Sequence, residues 1–202
     1  VAIDFETANE LRASPCAIGL AFVEDGIVTR RAYTLIRPPE PRFAPGNIRI
    51  HGIRPADVAD APLFPDALAP FLDAFAAMPI LAHNAAFDIA VLRATARHYG
   101  LVLPKLTWLC TRAVARAAWP AERSAGLAAV SARLGHAFRH HHAGDDADAC
   151  ARIALAAGRS VGTDRIAETA GRLGLRFGFS DGTEAVPCRT TRPAPRPAPP
   201  PT

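Results

Sequence analysis

Several features that decide a protein's class are scarce in this chain of 202 residues. It has one lysine beside 22 arginines, no glutamine, and four cysteines that stand far apart. No Cys-x-x-Cys pair is present, so we expect free thiols rather than a zinc site or a disulfide framework. No apolar run approaches the about 20 residues of a membrane span. The first residues are acidic where a secretory signal would be basic, so we expect a cytoplasmic protein without membrane contact.

The composition predicts a globular domain followed by a tail. With 50% hydrophobic and 21% charged residues, the chain can bury a sizeable core. Residues 189–202 contain three arginines and no acidic residue, so they contribute most of the net charge of +4. We expect one domain over residues 1–175, an irregular extension over 176–188, and a disordered Pro/Arg-rich tail over 189–202.

The hydrophobic pattern predicts an α/β fold. We expect strands over 1–7, 16–23, 27–36 and 80–82, with a hairpin turn at Asp25-Gly26. We expect helices over 64–77, 84–99, 111–118, 124–134 and 145–157, the second of them capped by Asn84. Residues 37–62 are rich in proline and glycine and should form a loop held by Ile48, Ile50 and Ile53. Such an order favours a mixed sheet with helices on its faces.

Three carboxylates occupy positions that are unusual for surface acids. Asp4 and Glu6 lie two residues apart on the first strand, so both point to one face of the sheet. An edge strand with a solvated face would explain that pair by itself. Asp88 shares a helical face with the apolar Val91 and Leu92, so it should point inward. The helix dipole explains an acid in the first turn, but not its inward direction.

The segment HHHAGDDADAC adds a fourth inward carboxylate. On a helix, Asp146 aligns with Cys150 and Ile153, whereas Asp145 aligns with Asp148 on the polar side. Four inward carboxylates without matching bases require compensating cations. Ligation by oxygen alone favours Mg²⁺ or Mn²⁺ over zinc. Two such ions would stabilise the attacking and leaving oxygens in phosphodiester hydrolysis.

That chemistry needs a base, and His141 is a candidate. It should lie in the loop ahead of Asp146 and lean over the carboxylates. An imidazole that titrates near neutrality can accept the proton of an attacking water. The run His140 to His142 alone would indicate only a solvated loop.

Together these residues resemble the DEDDh 3′→5′ exonucleases, the family that contains the proofreading epsilon subunit of bacterial DNA polymerase III. The resemblance rests on three segments in family order: VAIDFET with Asp4 and Glu6, AHNAAFD with Asp88, and HHAGDDA with His141 and Asp146. The segment NIRIHGI is similar to the family's segment beside the terminal nucleotide. The resemblance covers about residues 1–175 and excludes the tail.

The resemblance implies an RNase H-like fold with a mixed five-stranded sheet flanked by helices. It also implies two divalent cations, Mg²⁺ or Mn²⁺, as cofactors. The implied site residues are the metal ligands Asp4, Glu6, Asp88 and Asp146, the general base His141, and three contacts to the 3′-terminal nucleotide, Thr7, His51 and Asn84.

The implied activity is two-metal hydrolysis of phosphodiester bonds at the 3′ end of single-stranded or frayed DNA, in proofreading or repair. An exoribonuclease acting on short RNA stays open, because nothing in the sequence recognises a 2′-hydroxyl. A DNA polymerase or repair complex is a candidate partner, although a glutamine-led sliding-clamp peptide is absent. The alternative from another class is a non-catalytic interaction module whose Pro-rich tail recruits partners.

Overall fold

The computed structural model describes residues 1–191. Its strands are β1 (Ala2–Thr7), β2 (Pro15–Glu24), β3 (Ile27–Leu35), β4 (Ile80–Ala82), β5 (Leu106–Cys110), β6 (Leu175–Arg176), β7 (Gly178–Ser180), β8 (Ala185–Val186) and β9 (Arg189–Thr190). Its helices are α1 (Pro45–His51), α2 (Phe64–Leu68), α3 (Leu72–Ala77), α4 (Ala86–His98), α5 (Thr111–Ala118), α6 (Leu127–Arg133), α7 (Ala143–Ser160) and α8 (Ile166–Arg172). Short 3₁₀ turns cover Pro55–Val58 and Ala69–Phe71.

The main sheet is mixed, which confirms the predicted α/β class. Its strand order is β3-β2-β1-β4-β5-β7-β8. The pairs β1/β4 and β4/β5 are parallel, and the other neighbours are antiparallel. The expected number of five strands was wrong, because β7 and β8 extend the sheet beyond β5 to seven. The hairpin between β2 and β3 turns at the predicted Asp25-Gly26, where both residues have positive φ.

Helices cover both faces of the sheet. On one face, α2, α3 and α4 pack large side chains against β1 and β2, with Phe64, Phe75 and Leu92 at the centre. On the other face, α5, α7 and α8 pack mainly small side chains, including Ala147 and Ala151 of α7. The large residues fill one interface, and the small residues let α7 approach the sheet closely.

Gly19 in β2 fixes how closely α7 approaches. A Cβ atom at this position would collide with the backbone of Ala143 and Gly144, the first two residues of α7. Gly19 also lies directly opposite Asp4 of β1 in the antiparallel register. The close approach therefore brings the first turn of α7, with Asp146, over the strand that carries Asp4.

The C-terminal part of the described chain is more regular than expected. Residues 176–188 contain β7 and β8, where an irregular extension was predicted. The start of the predicted disordered tail, Arg189–Thr190, pairs with Leu175–Arg176 as a small two-stranded sheet. The rest of the predicted tail, residues 192–202, lies outside the described residues. Within residues 1–191, no helix combines the length and the apolarity needed to cross a membrane.

Two local predictions were also wrong. Asn84 does not cap α4, because helix entry occurs at Ala85 without a side-chain hydrogen bond, and Asn84 has a left-handed backbone with φ of 72°. Ile50 does not anchor the segment after β3, since it lies on α1 and is 55% exposed. Ile53 is buried as predicted.

Candidate active site

The candidate site lies where β1 ends, and strand geometry places its first two carboxylates there. Asp4 and Glu6 alternate with Ile3 and Phe5, which are buried in the core beneath α4. The side chains of Asp4 and Glu6 therefore point to the opposite face of the sheet, which α7 covers. Glu6 is 8% exposed, although it pairs with no cation among the described residues.

Asp88 reaches the same place from the first turn of α4. Because β1 and β4 are parallel and Ala2 pairs with Leu81, the chain leaves β4 level with Ile3 and Asp4 of β1 and then enters α4. Asp88 is 1% exposed, and its Oδ1 accepts a hydrogen bond from Phe5 N at 3.1 Å. The inward direction predicted from the helical face is confirmed.

Asp146 is the fourth carboxylate and is 4% exposed. Carboxylate oxygens of Asp4, Glu6 and Asp146 lie within 4.8 Å of one another, so these three residues form a group that could hold a metal ion. Asp146 also accepts a hydrogen bond from the backbone N of His141 at 3.1 Å. This bond ties the loop before α7 to the carboxylates.

The loop residues 140–142 have a constrained geometry. His142 is the N-cap residue of α7, and its Nδ1 accepts a hydrogen bond from Asp145 N at 3.3 Å. His141 has φ of 66°, which is uncommon for a residue with a side chain. The rings of His140 and His141 stack with centroids 3.9 Å apart. The hydrogen bond to Asp145 N holds His142 at the start of α7, and the stacking holds the rings of His140 and His141 against each other.

One cleft collects every residue that the sequence analysis selected. Its volume is about 420 Å³. The predicted residues on its wall are Asp4, Glu6, Thr7, His51, Asn84, Asp88, His141 and Asp146. Thr7 and His51 are joined, since His51 Nε2 lies 3.2 Å from Thr7 O. Asn84 lies at the wall through its left-handed turn rather than as a helix cap.

The carboxylates raise one another's proton affinity. Burial, followed by repulsion from Asp146 and Asp88, raises the pKa of Glu6 to about 8. Burial raises the pKa of Asp88 to about 7, and it raises the pKa of Asp4 well above its usual value, with the nearby acids adding to the shift. The pKa of Asp146 is also raised by burial. The cleft is therefore an acidic site that lacks compensating positive charge.

Three histidines of the cleft have pKa values below the usual value for imidazole. Burial lowers the pKa of His141, and the neighbouring His140 lowers it further. Burial also lowers the pKa of His51, and it lowers that of His83 to about 4. A neutral imidazole at His141 can accept a proton.

Sequence reasoning did not select two histidines that line the cleft, His83 and His140. His140 Nδ1 lies 3.2 Å from a carboxylate oxygen of Asp146, closer than a solvated loop residue would be. His83 Nδ1 lies 3.0 Å from Thr111 Oγ1, and its buried Nε2 has no hydrogen-bond partner in the described part of the chain. His83 follows β4 directly, and that position was a usable signal because strand ends gather at the site.

Asp148 lies on the polar side of α7, as periodicity predicts, but this side is buried at Asp148 rather than solvated. It is 2% exposed and lies 3.0 Å from Arg31 Nε and 2.8 Å from Arg152 Nε. His136 Nε2 lies 3.4 Å away. Helical periodicity missed this because β3 crosses the polar side of the helix and covers it. The contacts connect α7, β3 and the segment leading to the histidine loop.

This arrangement can hold divalent cations beside a base. The four carboxylates that line the cleft, two from β1 and one each from α4 and α7, offer only oxygen ligands. Hard cations prefer such ligands. The neutral His141 stands next to them. The combination suits hydrolysis of a phosphate ester, in which negative charge develops on the reacting oxygens.

Comparison with known proteins places these residues in a family. The model of an exonuclease family, RNase_T, matches residues 1–154. A Mycobacterium tuberculosis protein whose name describes a bifunctional exonuclease/endonuclease is 34% identical over 178 residues, which are 85% of this chain. The chain spans only 26% of that protein's length. Exodeoxyribonuclease 10 of Escherichia coli is 28% identical over 189 residues, 89% of this chain and 79% of that enzyme.

A solved structure shares the fold. Exonuclease X in complex with 5′ overhanging duplex DNA superposes with a TM-score of 0.68 and 26% identity, covering 86% of this chain and 98% of that chain. The resemblance stated from the sequence and the RNase H-like fold that it implied are confirmed.

Proposed function

The chain belongs to the exonuclease family whose model matches residues 1–154, and from this premise we propose that it is a metal-dependent 3′→5′ exonuclease. It hydrolyses phosphodiester bonds at the 3′ end of single-stranded or frayed DNA. The observation that carries the proposal is the meeting of four carboxylates from three segments with His141 in one cleft. Family membership favours this enzyme over a non-catalytic module on the same fold.

The donor set fits two Mg²⁺ or Mn²⁺ ions. Burial raises the pKa of all four carboxylates, repulsion from neighbouring acids adds to the shift in Asp4, Glu6 and Asp88, and no arginine or lysine among the described residues pairs with them. Asp4, Glu6, Asp88 and Asp146 would hold the ions. When bound, the ions would neutralise the acids and polarise the phosphodiester for in-line attack.

The remaining residues have separate tasks. His141 accepts the proton of the attacking water, since its lowered pKa leaves it neutral near pH 7. Asp146 holds the histidine loop through the backbone N of His141. Thr7, His51 and Asn84 contact the 3′-terminal nucleotide from the wall of the cleft.

Labelled oligonucleotides test direction and substrate together. Single-stranded DNA and RNA of matched sequence are labelled at either end and incubated with Mg²⁺ or Mn²⁺. We expect 5′-labelled DNA to shorten stepwise, while a 3′ label appears at once as a single nucleotide. Internal fragments from both labels would indicate an endonuclease and contradict the proposal. Faster digestion of RNA would instead support the exoribonuclease alternative.

His141→Ala and His98→Ala make a matched pair for the role of the base. Both remove an exposed imidazole, but His141 lines the carboxylate cleft, whereas His98 lies in the last turn of α4 and does not line it. General-base catalysis contributes about 10²- to 10⁴-fold, so we expect kcat to fall by that factor in His141→Ala alone. Equal losses in both variants would contradict the role of His141 as the base. A polymerase or repair complex as partner and a cytoplasmic location stay predictions.

A further inference from the structure

A second cleft adjoins the carboxylate cleft on the other side of the histidine loop. Its volume is about 660 Å³, larger than the 420 Å³ of the first. Four residues line both clefts, namely Ile50, His51, His140 and His141. The two clefts are therefore continuous around a shared wall that includes the proposed base.

The charges of the two clefts are opposite. None of the four carboxylates lines the second cleft, whose charged residues are Arg49, Arg139 and Asp57. One oxygen of Asp57 already accepts a hydrogen bond from Arg54 N at 2.7 Å. Within residues 1–191, the guanidinium groups of Arg49 and Arg139 form no ion pair. Both are exposed, so they are available to an anionic ligand.

An aromatic surface borders these arginines. Tyr33 of β3 is 39% exposed, and its ring stacks on His142 with centroids 4.3 Å apart. An aromatic ring beside unpaired guanidinium groups suits a nucleic-acid strand, because bases stack on the ring and phosphates contact the guanidinium groups. His142 also caps α7, so this surface is fixed relative to the carboxylates.

We infer that the second cleft binds the part of the single strand that continues from the reacting phosphodiester, on its 5′ side. Arg49 and Arg139 contact its phosphates, and Tyr33 contacts a base. This inference rests on the proposed function, in which the terminal nucleotide occupies the carboxylate cleft and the rest of the strand must leave past the shared wall. Unlike the carboxylate cleft, the second cleft attracts phosphate without bound cations.

Binding without metal tests the inference independently of activity. A fluorescent single-stranded DNA is titrated in EDTA at several salt concentrations with wild type, Arg49→Ala and Arg139→Ala. We expect each substitution to raise Kd by about 5- to 10-fold at low salt, and each lost phosphate contact to reduce the slope of log K against log salt by about 0.7. Wild-type affinity and slope in both variants would overturn the inference.

Arg159→Ala is the matched control. Arg159 is an exposed arginine in the last turn of α7, and it forms no ion pair with any residue of the described range 1–191. It stands 16 residues after Ala143, so about 24 Å of helix separates it from the clefts. We expect its Kd and salt slope to equal those of wild type. Equal weakening by all three substitutions would mean general charge attraction and would also overturn the inference.

Two further comparisons separate the sources of an effect. If Arg49→Ala and Arg139→Ala weaken binding of a duplex with a 5′ overhang but not of a single strand, the cleft holds the complementary strand and the inference is wrong.

The same two variants can be compared in activity. With Mn²⁺, we expect their kcat/KM to fall at least fivefold more on an oligonucleotide than on a nucleotide ester that has no upstream strand. Equal losses on both substrates would count against it. An inactive wild type that still binds through both arginines would overturn only the proposed function.

Discussion

Glu6→Gln should stabilise the protein when no metal is bound, and by an amount that grows with pH. The carboxylate of Glu6 is 8% exposed and has its pKa raised from 4.5 to about 8 by burial, Asp146 and Asp88. A raised carboxyl pKa means that the folded state resists ionisation. The free energy of unfolding of wild type is therefore not reduced by Glu6 below pH 4.5, where this side chain is protonated in both states. It falls as pH rises from there towards 8.

The magnitude follows from the size of the pKa shift. Each pKa unit corresponds to about 1.4 kcal/mol, so ionisation of Glu6 costs the folded protein about 2 kcal/mol at pH 6 and about 4 kcal/mol at pH 8. Glutamine has nearly the same shape and no charge to bury. We expect the free energy of unfolding of Glu6→Gln to exceed that of wild type by those amounts, and by less than about 1 kcal/mol at pH 5.

Urea unfolding in EDTA between pH 5 and pH 8 measures this difference. The histidines with lowered pKa also titrate in this range, but they are common to both proteins and cancel. Asp4 does not cancel, because Glu6 contributes to its raised pKa, and the loss of that repulsion adds to the stability of the variant in the same direction. Glu24→Gln, at the exposed end of β2, is the control and should show no difference that depends on pH. With saturating Mn²⁺, wild type should be more stable than Glu6→Gln, because only wild type has all four proposed carboxylate ligands. A difference between wild type and Glu6→Gln that is constant over this pH range would refute the reasoning.

Four further results are expected. Adding Mn²⁺ to metal-free wild type should raise its melting temperature, since a free Mn²⁺ concentration of 100 times Kd adds about 2.7 kcal/mol to the free energy of unfolding. An unchanged melting temperature at millimolar Mn²⁺ would contradict a metal site. His140→Ala should lower activity by about 10- to 100-fold in steady-state assays, because its imidazole orients Asp146; wild-type rates would exclude that role. Gly19→Ala should lower stability in urea by about 1–3 kcal/mol or more and reduce activity, since its Cβ meets Ala143; a neutral result would mean that α7 shifts without cost. Asp148→Asn should cost about 2 kcal/mol, since the charge-assisted hydrogen bond from Arg152 and the ion pair with Arg31 are lost while both arginines can reach water; a loss near zero would mean that these contacts are not formed in solution.

The carboxylate cluster could be predicted from the sequence because each of its four carboxylates obeys a local rule. Strand alternation put Asp4 and Glu6 on one face, and helical spacing turned Asp88 and Asp146 inward. These periodicities act over a few residues, so they can be read without knowing the fold. The family resemblance then selected His141 from its neighbours, and the structure places it on the wall of the same cleft.

The errors occurred where distant segments decide the outcome. Asp148 lies on the polar side of α7 by periodicity, but Arg31 of β3 covers it. The strand β5 is a five-residue run that periodicity cannot distinguish from a buried helix segment. The strands β7 and β8 are too short for any pattern and exist because β5 offers them a free edge. Local propensity does not contain such information.

Asn84 illustrates a different kind of error. Asparagine is both a common helix cap and a common left-handed residue, so its identity alone allowed either structure. The structure uses the left-handed form, with φ of 72°. This turn, rather than a cap, places Asn84 on the wall of the carboxylate cleft. The predicted location at the site was therefore correct although its structural reason was wrong.

The most direct test of the central claim compares wild type with Asp88→Asn on one substrate. A 5′-labelled single-stranded DNA is incubated with each protein in Mn²⁺ and in EDTA, and the products are separated by length. The account predicts stepwise shortening by wild type in Mn²⁺ only, and loss of that shortening in Asp88→Asn although circular dichroism shows the same fold. Shortening that persists in EDTA, or in the variant at the wild-type rate, would contradict it.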